Sequence, residues 1–300
     1  MWARAPRREL PVAAPAFPAR KTSRRAKSGQ PRRAGAGRCA RYLRPMIWHT
    51  LLTPPLAGAS NMAWDEALMA RARETGESVF RVYGWREPTL SFGRHQAARV
   101  TYPAARLAER GVAVVRRLTG GRAVLHHREI TYSVTAPAPP GETLGESYAA
   151  INRLLVDGLG RLGVRAEAAA PLARAPRPDG APCFETPTVG ELVVAGRKLV
   201  GSAQVREHGA LLQHGSVLID DDQSLIADLA AVAGPSLRAP ATLRDALGHA
   251  PTLAEAADAL FGAVRAAHPE AQTLDLDDTL RALHEHALDR YLDPAWTWRR

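Results

Sequence analysis

The alternation of apolar and polar residues predicts short strands separated by helices from residue 47 onwards. The segments IWHTLL, VFRVYGW and TLSFG have the composition and spacing of strands. Between the first two, apolar residues at helical spacing predict a helix that is capped by Ser60 or Asn61 and ends at Gly76. The segment PAARLAER predicts a short helix closed by Gly111.

The segment RRLTGGRAVLHH, residues 116–127, lies between an apolar run and an alternating run. This order predicts a strand, a glycine loop and a second strand. Two interpretations fit it equally well. The segment is either a β-hairpin that turns at Gly120-Gly121 and carries solvated arginines, or a cradle for a ligand. Glycines permit close approach of a ligand to the backbone, and arginines supply fixed cationic groups beside it.

The second half of the chain is also predicted to contain both helices and strands. Residues 145–164 predict an amphipathic helix, with apolar residues at Ile151, Leu155 and Leu159. Residues 164–168 predict an extended segment. Residues 169–182 are rich in Ala and Pro and predict a mobile loop. A hairpin that turns at Ala195-Gly196 and a strand follow. Helices are then expected at 223–232, after a capping box at Thr252 and Glu255, and at 277–292.

These strands occur mostly as hairpins rather than in alternation with long helices. The pattern predicts an α+β fold with a mixed, largely antiparallel β-sheet flanked by helices, and not a doubly wound parallel sheet. The sequence has no glycine-rich phosphate loop of the Walker or dinucleotide type.

Charge divides the chain into two parts. Residues 1–45 contain 13 of the 40 Lys and Arg residues but only one acid, Glu9, whereas residues 46–300 have a net charge of about −2. We therefore expect residues 1–45 to be a disordered basic N-terminal extension, with Met46 as the natural start, although an organelle transit peptide has a similar composition. Residues 46–300 are expected to form a single catalytic domain with a helical C-terminal end.

Composition also limits the function classes. The basic character belongs to the extension, so we expect no nucleic-acid partner, and no apolar run is long enough for a transmembrane helix. Cys39 and Cys183 are far apart and form neither a disulfide framework nor a zinc site. We expect a cytoplasmic protein with no membrane partner, no metal and no cofactor, and a monomer.

Two residues, Cys183 and Lys198, are candidates for covalent chemistry. A cysteine between a loop and a strand is either buried filler or an exposed nucleophile, and the nucleophile needs a cation that lowers its pKa. Lys198, just after the hairpin turn, is either that cation or a solvated surface charge. The small residues Gly201 and Ser202 that follow it leave space for a ligand beside the backbone.

Histidines near glycines are further candidates. His126 and His214 each follow an apolar run, and Gly215 follows His214. Either imidazole can be a base, a hydrogen-bond donor or a structural residue. The structural role is the preferred interpretation for His127. No HxxxH or CxxC spacing indicates zinc.

Several segments together resemble one known family. RRLTGGRAVLHHREITYSV and CFETPTVGELVVAGRKLVGSAQVREHGALLQHGSVLID are similar to two signatures of the lipoate–protein ligase and octanoyltransferase family, relatives of the biotin protein ligases. GASNMAWDEAL, RVYGWREPTLSFGRHQ and DPAWTWRR are similar to further segments of that family. The resemblance covers residues 46–300.

Within the family, the chain resembles the LipM-type octanoyltransferases rather than the ATP-dependent ligases. Arg122 replaces the third glycine of the ligase-type GGG, and Cys183 and Lys198 occupy the positions of the acyl-thioester cysteine and its assisting lysine. The resemblance implies transfer of octanoyl from octanoyl-acyl carrier protein to a lysine of a lipoyl domain or of the glycine-cleavage H protein, by way of a Cys183 thioester. It implies no ATP.

The resemblance also implies an acyl tunnel between the glycine loop and the strand from Lys198 to Gln204. The substrate-binding candidates are Arg117, Gly120, Gly121, Arg122, His126, Gly201, Ser202, Gln204, His214 and Gly215. Arg116, Arg117 and Arg122 are candidates for contact with the phosphopantetheine phosphate or an acidic carrier protein.

Four alternative functions remain: an ATP-dependent lipoate–protein ligase, an octanoyl amidotransferase between lipoyl-accepting proteins, a non-catalytic lipoyl- or biotinyl-binding protein, and a basic nucleic-acid-binding module.

Overall fold

A computed structural model describes residues 47–169, 190–232 and 239–300. The predicted basic extension and Cys183 lie outside these described residues, as does nearly all of the predicted loop 169–182. The first elements are β1 (Trp48–Leu52), α1 (Gly58–Thr75), β2 (Ser78–Tyr83), β3 (Thr89–Phe92), α2 (Ala104–Glu109), β4 (Ala113–Arg116), β5 (Val124–His126), β6 (Glu129–Pro137), α3 (Leu144–Arg161) and β7 (Glu167–Ala168).

The second half of the described chain begins with a hairpin and ends in helices. Its elements are β8 (Leu192–Val194), β9 (Arg197–Glu207), β10 (Ala210–Leu218), a 3₁₀ turn (Gln223–Leu225), α4 (Ile226–Leu229), α5 (Leu243–Leu247), α6 (Leu253–Ala267), β11 (Gln272–Thr273), α7 (Asp278–Leu292) and α8 (Pro294–Thr297). Among these, α5, β11 and α8 have no counterpart in the sequence-based prediction.

An eight-stranded sheet runs through the molecule in the order β11-β1-β2-β6-β10-β9-β8-β7. The β11–β1 and β1–β2 pairs are parallel and the remaining pairs are antiparallel. Strands β4, β3 and β5 form a second, three-stranded sheet. The predicted α+β fold with a mixed, largely antiparallel sheet is therefore confirmed.

Helices cover both faces of the large sheet. On one face, α3 and α6 pack against each other, α6 on β1 and β2 and α3 on β9, and they share a core that includes Tyr132, Leu155 and Leu260. On the other face, α1 packs on β6 and β10 and against α7. Side chains on a strand alternate between faces, so odd-numbered residues of β6 and even-numbered residues of β10 point towards α1. Most of the polar groups described below lie on this α1 face.

One local prediction is wrong, and one of the two interpretations of the glycine segment is excluded. Helix α1 begins at Gly58, before the predicted caps at Ser60 and Asn61. The Asn61 side chain instead donates a hydrogen bond to the carbonyl of Gly84 (2.9 Å), directly after β2. The glycine segment is not a hairpin. Its flanking strands β4 and β5 do not pair with each other, and each pairs with β3.

The glycine segment between β4 and β5, residues 117–123, is called the glycine loop below.

The helix predicted at 223–232 is shorter than expected, because only the 3₁₀ turn and the four-residue α4 form there. The capping box at Thr252 and Glu255 and the helix end at Gly76 are confirmed. None of the helices in the described segments is long and apolar enough to cross a membrane.

Candidate active site

Arg117 holds the glycine loop in shape from its inner side. Its Nη1 donates hydrogen bonds to the carbonyl (2.8 Å) and the hydroxyl (2.6 Å) of Ser91, and its Nη2 donates to the carbonyls of Gly120 and Arg122, both at 3.0 Å. Gly121 has a φ of 95°, in the left-handed region that favours glycine. The curvature of the loop is therefore set by a buried guanidinium and a residue without Cβ.

Arg116, the preceding residue, has a purely internal role. Its side chain is fully buried and donates to the carbonyls of Gly93 (2.6 Å), Gln96 (2.9 Å) and Thr297 (2.9 Å). The expectation that Arg116 meets a phosphate or a carrier protein is wrong, because its guanidinium lies inside the fold. Burial lowers the pKa of Arg116 to about 10, with further lowering from its guanidinium neighbours Arg299, Arg117 and Arg300.

A row of polar residues crosses the large sheet beneath α1. Arg81 of β2, Ser133 of β6 and His214 of β10 are directly opposite one another. All three donate to the carboxylate of Asp65, from Nη1 (2.9 Å), Oγ (2.7 Å) and Nδ1 (3.0 Å), and the Tyr83 hydroxyl adds a fourth donor at 3.0 Å. Burial raises the pKa of Asp65, but the hydrogen bond from His214 and the charge of Arg81 more than offset it, so this pKa lies below its ordinary value.

The second nitrogen of His214 points to the glycine loop. Its Nε2 lies 2.7 Å from the hydroxyl of Thr119. Since the Asp65 carboxylate can only accept, Nδ1 carries the hydrogen and Nε2 accepts from Thr119. Burial lowers the pKa of His214, Asp65 opposes that shift, and Arg117 and His126 reinforce it. The result is a neutral imidazole with a fixed tautomer.

His126 belongs to a second pair of this kind. Its Nδ1 lies 2.8 Å from a carboxylate oxygen of Glu129, and its Nε2 lies 2.7 Å from the Ser91 hydroxyl that Arg117 also contacts. The ring of Trp85 stacks on the imidazole with centroids 3.9 Å apart. His126 is thus enclosed on one ring face and engaged at both nitrogens.

Lys198 forms a buried ion pair. Its Nζ lies 2.6 Å from Oε1 of Glu191, and both side chains are almost fully buried. A register shift between β8 and β9 places Leu199 and Val200 in the same core on the α3 side, which interrupts the alternation of β9. A bulge of this kind redirects side chains. It turns Lys198 away from that core, to the face that also carries His214.

A narrow pocket of about 50 Å³ lies between the glycine loop and the sheet. It brings together part of the predicted site, namely Arg117, Gly121, His126, Gly201, Ser202, His214 and Gly215. Apolar side chains complete its wall, among them Met62, Tyr83, Trp85 and Val124. The pocket leaves space for a narrow ligand between the small residues of β9 and the glycine loop. The imidazoles of His126 and His214 line this space.

Other predicted residues lie apart from this pocket. Gln204 lines a wider groove of about 750 Å³ beside α3, where its amide donates to the hydroxyl of Ser147 (3.1 Å). Ser202 borders both cavities and hydrogen-bonds the Tyr132 hydroxyl at 2.7 Å. Cys183 lies outside the described residues, and within the described ranges no three His, Cys, Asp or Glu side chains are grouped so as to hold a metal ion.

Comparison with known proteins identifies the family. The model of the lipoyl protein ligase A/B catalytic domain matches residues 57–265. The chain belongs to that family. An octanoyltransferase LipM of Kyrpidia tusciae is 39% identical over 84% of this chain and 99% of its own length. An octanoyltransferase LipM of Anoxybacillus flavithermus is 34% identical over 85% of this chain and 99% of its own length.

Solved structures of the family share the fold. Lipoate-protein ligase A bound with ATP has a TM-score of 0.70 at 19% identity, over 84% of this chain and 99% of that one. The bi-partite lipoate protein ligase from Thermoplasma acidophilum has a TM-score of 0.69 at 18% identity, over 85% and 97%. The resemblance read from the sequence motifs is thereby confirmed, and with it the prediction of an acyltransferase of the lipoyl protein ligase A/B family.

Sequence reasoning missed the partners of the candidate residues. His214 is hydrogen-bonded to Asp65 and Thr119, and Lys198 to Glu191. His126 is hydrogen-bonded to Ser91 and Glu129. One signal was available: Asp65 is an acid on the apolar side of the α1 pattern, at helical spacing from Met62 and Leu68, and a buried acid requires a partner. The remaining partner residues lie in segments with an ordinary strand or turn pattern, so the sequence gives no signal for them.

Proposed function

We propose that this protein transfers an octanoyl group from octanoyl-acyl carrier protein to a lysine of a lipoyl domain or of the glycine-cleavage H protein. In the first step, the thiolate of Cys183 attacks the donor thioester and the phosphopantetheine thiol leaves. In the second, the ε-amine of the acceptor lysine attacks the Cys183 thioester and forms an amide. Exchange of one thioester for another is nearly balanced and amide formation is downhill, so the proposal includes no ATP and no cofactor.

One observation carries the choice of a transferase over a ligase. The chain aligns with nearly the whole length of an octanoyltransferase LipM at 39% identity, and it has a cysteine at position 183 that ATP-dependent activation of a free acid would not use. The enzyme is proposed to act as a monomer in the cytoplasm, where thiols stay reduced.

Lys198 supports the first step in this proposal. It lies in a buried ion pair with Glu191. A cation near a thiol favours the thiolate and an oxyanion that forms beside it. Glu191 lies eight positions after Cys183 in the sequence. We therefore assign Cys183 as the nucleophile and Lys198 as the cation that assists it.

The narrow pocket is the proposed acyl site. Burial of each CH₂ group contributes about 0.8 kcal/mol. Because the 50 Å³ pocket holds only part of an eight-carbon chain, the chain is proposed to continue past Ser202, which borders both cavities, into the wider groove. Burial of its additional CH₂ groups then gains several kcal/mol over a two-carbon chain. This difference accounts for the proposed selection of octanoyl over much shorter acyl groups.

Intact-mass measurement after incubation with octanoyl-acyl carrier protein, without ATP, tests this function. The expected product is one octanoyl adduct that hydroxylamine removes and that is absent in Cys183→Ala. Cys39→Ala is the matched control, because it removes the only other cysteine, and it should be acylated normally. Modification of a lipoyl domain that requires ATP and free lipoate, with no adduct on the enzyme, would instead establish a ligase.

A further inference from the structure

We propose that the carrier protein that donates the octanoyl group docks on a surface of arginines beside the glycine loop. This arginine surface consists of the half-buried Arg94 and the exposed Arg99, Arg106, Arg299 and Arg300. The inference rests on the proposed function, because it concerns the partner that supplies the acyl group in that reaction. It assigns the contact with an acidic partner to exposed side chains, which the internal guanidinium of Arg116 cannot provide.

The arginine surface concentrates positive charge in a domain whose net charge is about −2. Residues 94–110 contain four arginines and one acid, Glu109, and residues 294–300 contain two arginines and no acid. Within the described part of the chain, only Arg94 among the five forms an ion pair, and its partner is Glu207. An excess of unpaired cationic groups on one surface attracts an anionic partner and speeds its association.

The arginines lie close enough to repel one another. Burial lowers the pKa of Arg299, and the neighbouring charges of Arg94, Arg300 and Arg290 lower it further. Repulsion among like charges destabilises the unbound surface, and negative charge that a partner brings to it relieves that repulsion. The arrangement therefore favours a state in which an acidic protein covers the arginines.

Contacts with the backbone and with an aromatic ring hold these arginines in place. Nη2 of Arg299 donates to the carbonyl of Arg94 (2.6 Å), and its guanidinium lies over the ring of Trp296, 3.9 Å from the centroid. Nε of Arg99 donates to the carbonyl of Trp298 (2.5 Å). Because the side chains are already ordered, a partner that binds them loses less conformational entropy than on a surface of unconstrained arginines.

Apolar groups accompany the charges. A shallow hollow of about 350 Å³ is lined by Arg99, Ala104 and Trp298. Val100, which follows Arg99, is 85% exposed. Arginine and aromatic side chains are enriched in protein interfaces, whose centres exclude water with apolar groups. This combination fits a protein partner better than a free anion, which would need only the charges.

The arginine surface adjoins the proposed acyl site. The amide of Arg94 donates to the carbonyl of Thr119 in the glycine loop (2.8 Å). The preceding residue, Gly93, packs against Gly121, which lines the narrow pocket. A donor that docks on the arginines therefore lies beside the loop that forms one wall of that pocket, and its prosthetic arm has only this loop to pass.

Charge favours the donor over the acceptor as the occupant of this surface. The phosphopantetheine arm of the donor carries a phosphodiester on the same chain as the thioester, so the part that enters the enzyme is anionic. The acceptor presents a lysine amine that is protonated at neutral pH. Guanidinium groups attract the first and repel the second.

Loading from two donors tests the assignment. The unaltered protein and Arg99→Glu/Arg299→Glu receive octanoyl either from octanoyl-acyl carrier protein or from octanoyl-pantetheine, which has the thioester but neither the protein nor the phosphate. Intact mass follows the adduct. We expect kcat/KM for the carrier protein to fall by about tenfold or more in the double variant. Its loading from octanoyl-pantetheine should be unchanged.

A matched control reverses two charges elsewhere. Arg265→Glu/Arg281→Glu alters exposed arginines on α6 and α7 and should load normally from both donors. Arg99→Gln/Arg299→Gln removes the docking charges without adding acids, so it should show the pattern of the glutamate variant with a smaller loss. Stability of each variant is checked by thermal denaturation.

Salt and the acceptor provide two further readouts. Screening limits exposed charges to ~10 Å at about 0.1 M salt and to ~3 Å at about 1 M, so at the higher concentration the unaltered protein and Arg99→Glu/Arg299→Glu should load from the carrier protein at similar rates. Discharge of the loaded double variant to a lipoyl domain should proceed at the normal rate, because the acceptor does not use this surface.

The outcomes distinguish this inference from the proposed function. Failure of the unaltered protein to form an adduct from either donor overturns the proposed function. Normal loading of Arg99→Glu/Arg299→Glu from the carrier protein at low salt overturns the arginine surface alone. Equal losses with both donors would also overturn it, since they indicate damage to the fold, and a loss confined to discharge would assign the surface to the acceptor instead.

Discussion

Gly93 and Gly121 pack backbone against backbone: a Cβ atom on Gly93 would lie 1.9 Å from the carbonyl oxygen of Gly121. The end of β3 and the glycine loop therefore approach more closely than any side chain permits. Arg116 and Arg117 hold the two segments at that distance, the first through the carbonyl of Gly93 and the second through that of Gly120. Gly121 lines the narrow pocket, so this contact fixes the pocket wall that the glycine loop forms.

Replacement of Gly93 by alanine should displace the glycine loop. The added methyl group meets backbone rather than a flexible side chain, so we expect lower thermal stability and loss of acyl transfer. Gly160→Ala is the matched control. Its Cβ meets nothing within 4 Å, and in the last turn of α3 it should leave stability unchanged or raise it by at most about 1 kcal/mol. Normal activity in Gly93→Ala would contradict a rigid loop.

The buried pair Arg81–Asp65 should matter far more to stability than an exposed pair on the same helix. Arg81→Met leaves the Asp65 carboxylate without its guanidinium partner inside the protein, and we expect a loss of about 3–5 kcal/mol in the free energy of unfolding. Arg71→Met breaks partly solvated pairs with Glu77 and Asp277 and should cost at most about 1 kcal/mol. Urea titration measures both, and equal losses would refute the argument.

Glu191 and Lys198 should be thermodynamically coupled. Glu191→Leu leaves the Lys198 ammonium without this buried partner and should lower stability by about 3–5 kcal/mol. The double variant Glu191→Leu/Lys198→Met removes both charges, so it should be more stable than Glu191→Leu alone. A double-mutant cycle by urea titration checks this expectation. Additive losses would show that the two groups do not interact.

Stability should fall as the pH is lowered below about 6.5. Burial lowers the pKa of His214, His49, His268 and His284 from the ordinary value of 6.5. Between the lowered and the ordinary pKa, the unfolded chain binds protons that the folded chain does not, so stability is full above 6.5 and decreases with falling pH.

Urea titration at pH 7.5 and 5.5 measures this effect. His268→Asn should reduce the difference in the free energy of unfolding between the two pH values, because it removes one of the contributing groups. The control is His208→Asn, which replaces an exposed histidine in a turn with a residue that tolerates its positive φ. An unchanged free energy at pH 5.5 would contradict the prediction.

Removal of residues 1–45 should leave folding and octanoyl transfer intact. The segment has 13 basic residues, one acid and no periodic apolar pattern, so its sequence offers no face to bury against a core. Thermal denaturation and the acyl-enzyme assay of the shortened chain measure the effect. Loss of either property would show that the extension contributes to the catalytic domain.

Elements with a strong local signal were predicted well. The helix that ends at Gly76, the turn at Ala195-Gly196 and the capping box at Thr252 depend on residues adjacent in sequence. The sequence left the glycine segment open between a hairpin and a ligand cradle, and β3, which lies some twenty residues earlier in the chain, excludes the hairpin because it separates β4 from β5. No local pattern indicates that a third strand will enter between two others.

The sequence by itself determined the fold class and the family, and it named candidates for the chemistry-bearing residues, since period-two and helical patterns and contiguous motifs are local properties. Only the tertiary structure decided what each residue contacts. Arg116 turned out to be internal because four carbonyl groups from distant segments converge on it. Asp65 on α1 and His214 on β10 are 149 positions apart. Strand register aligns Arg81, Ser133 and His214 across the sheet, and the packing of α1 on that sheet brings Asp65 within 3.0 Å of His214. Register depends on the packing of whole strands, which no short stretch of sequence encodes.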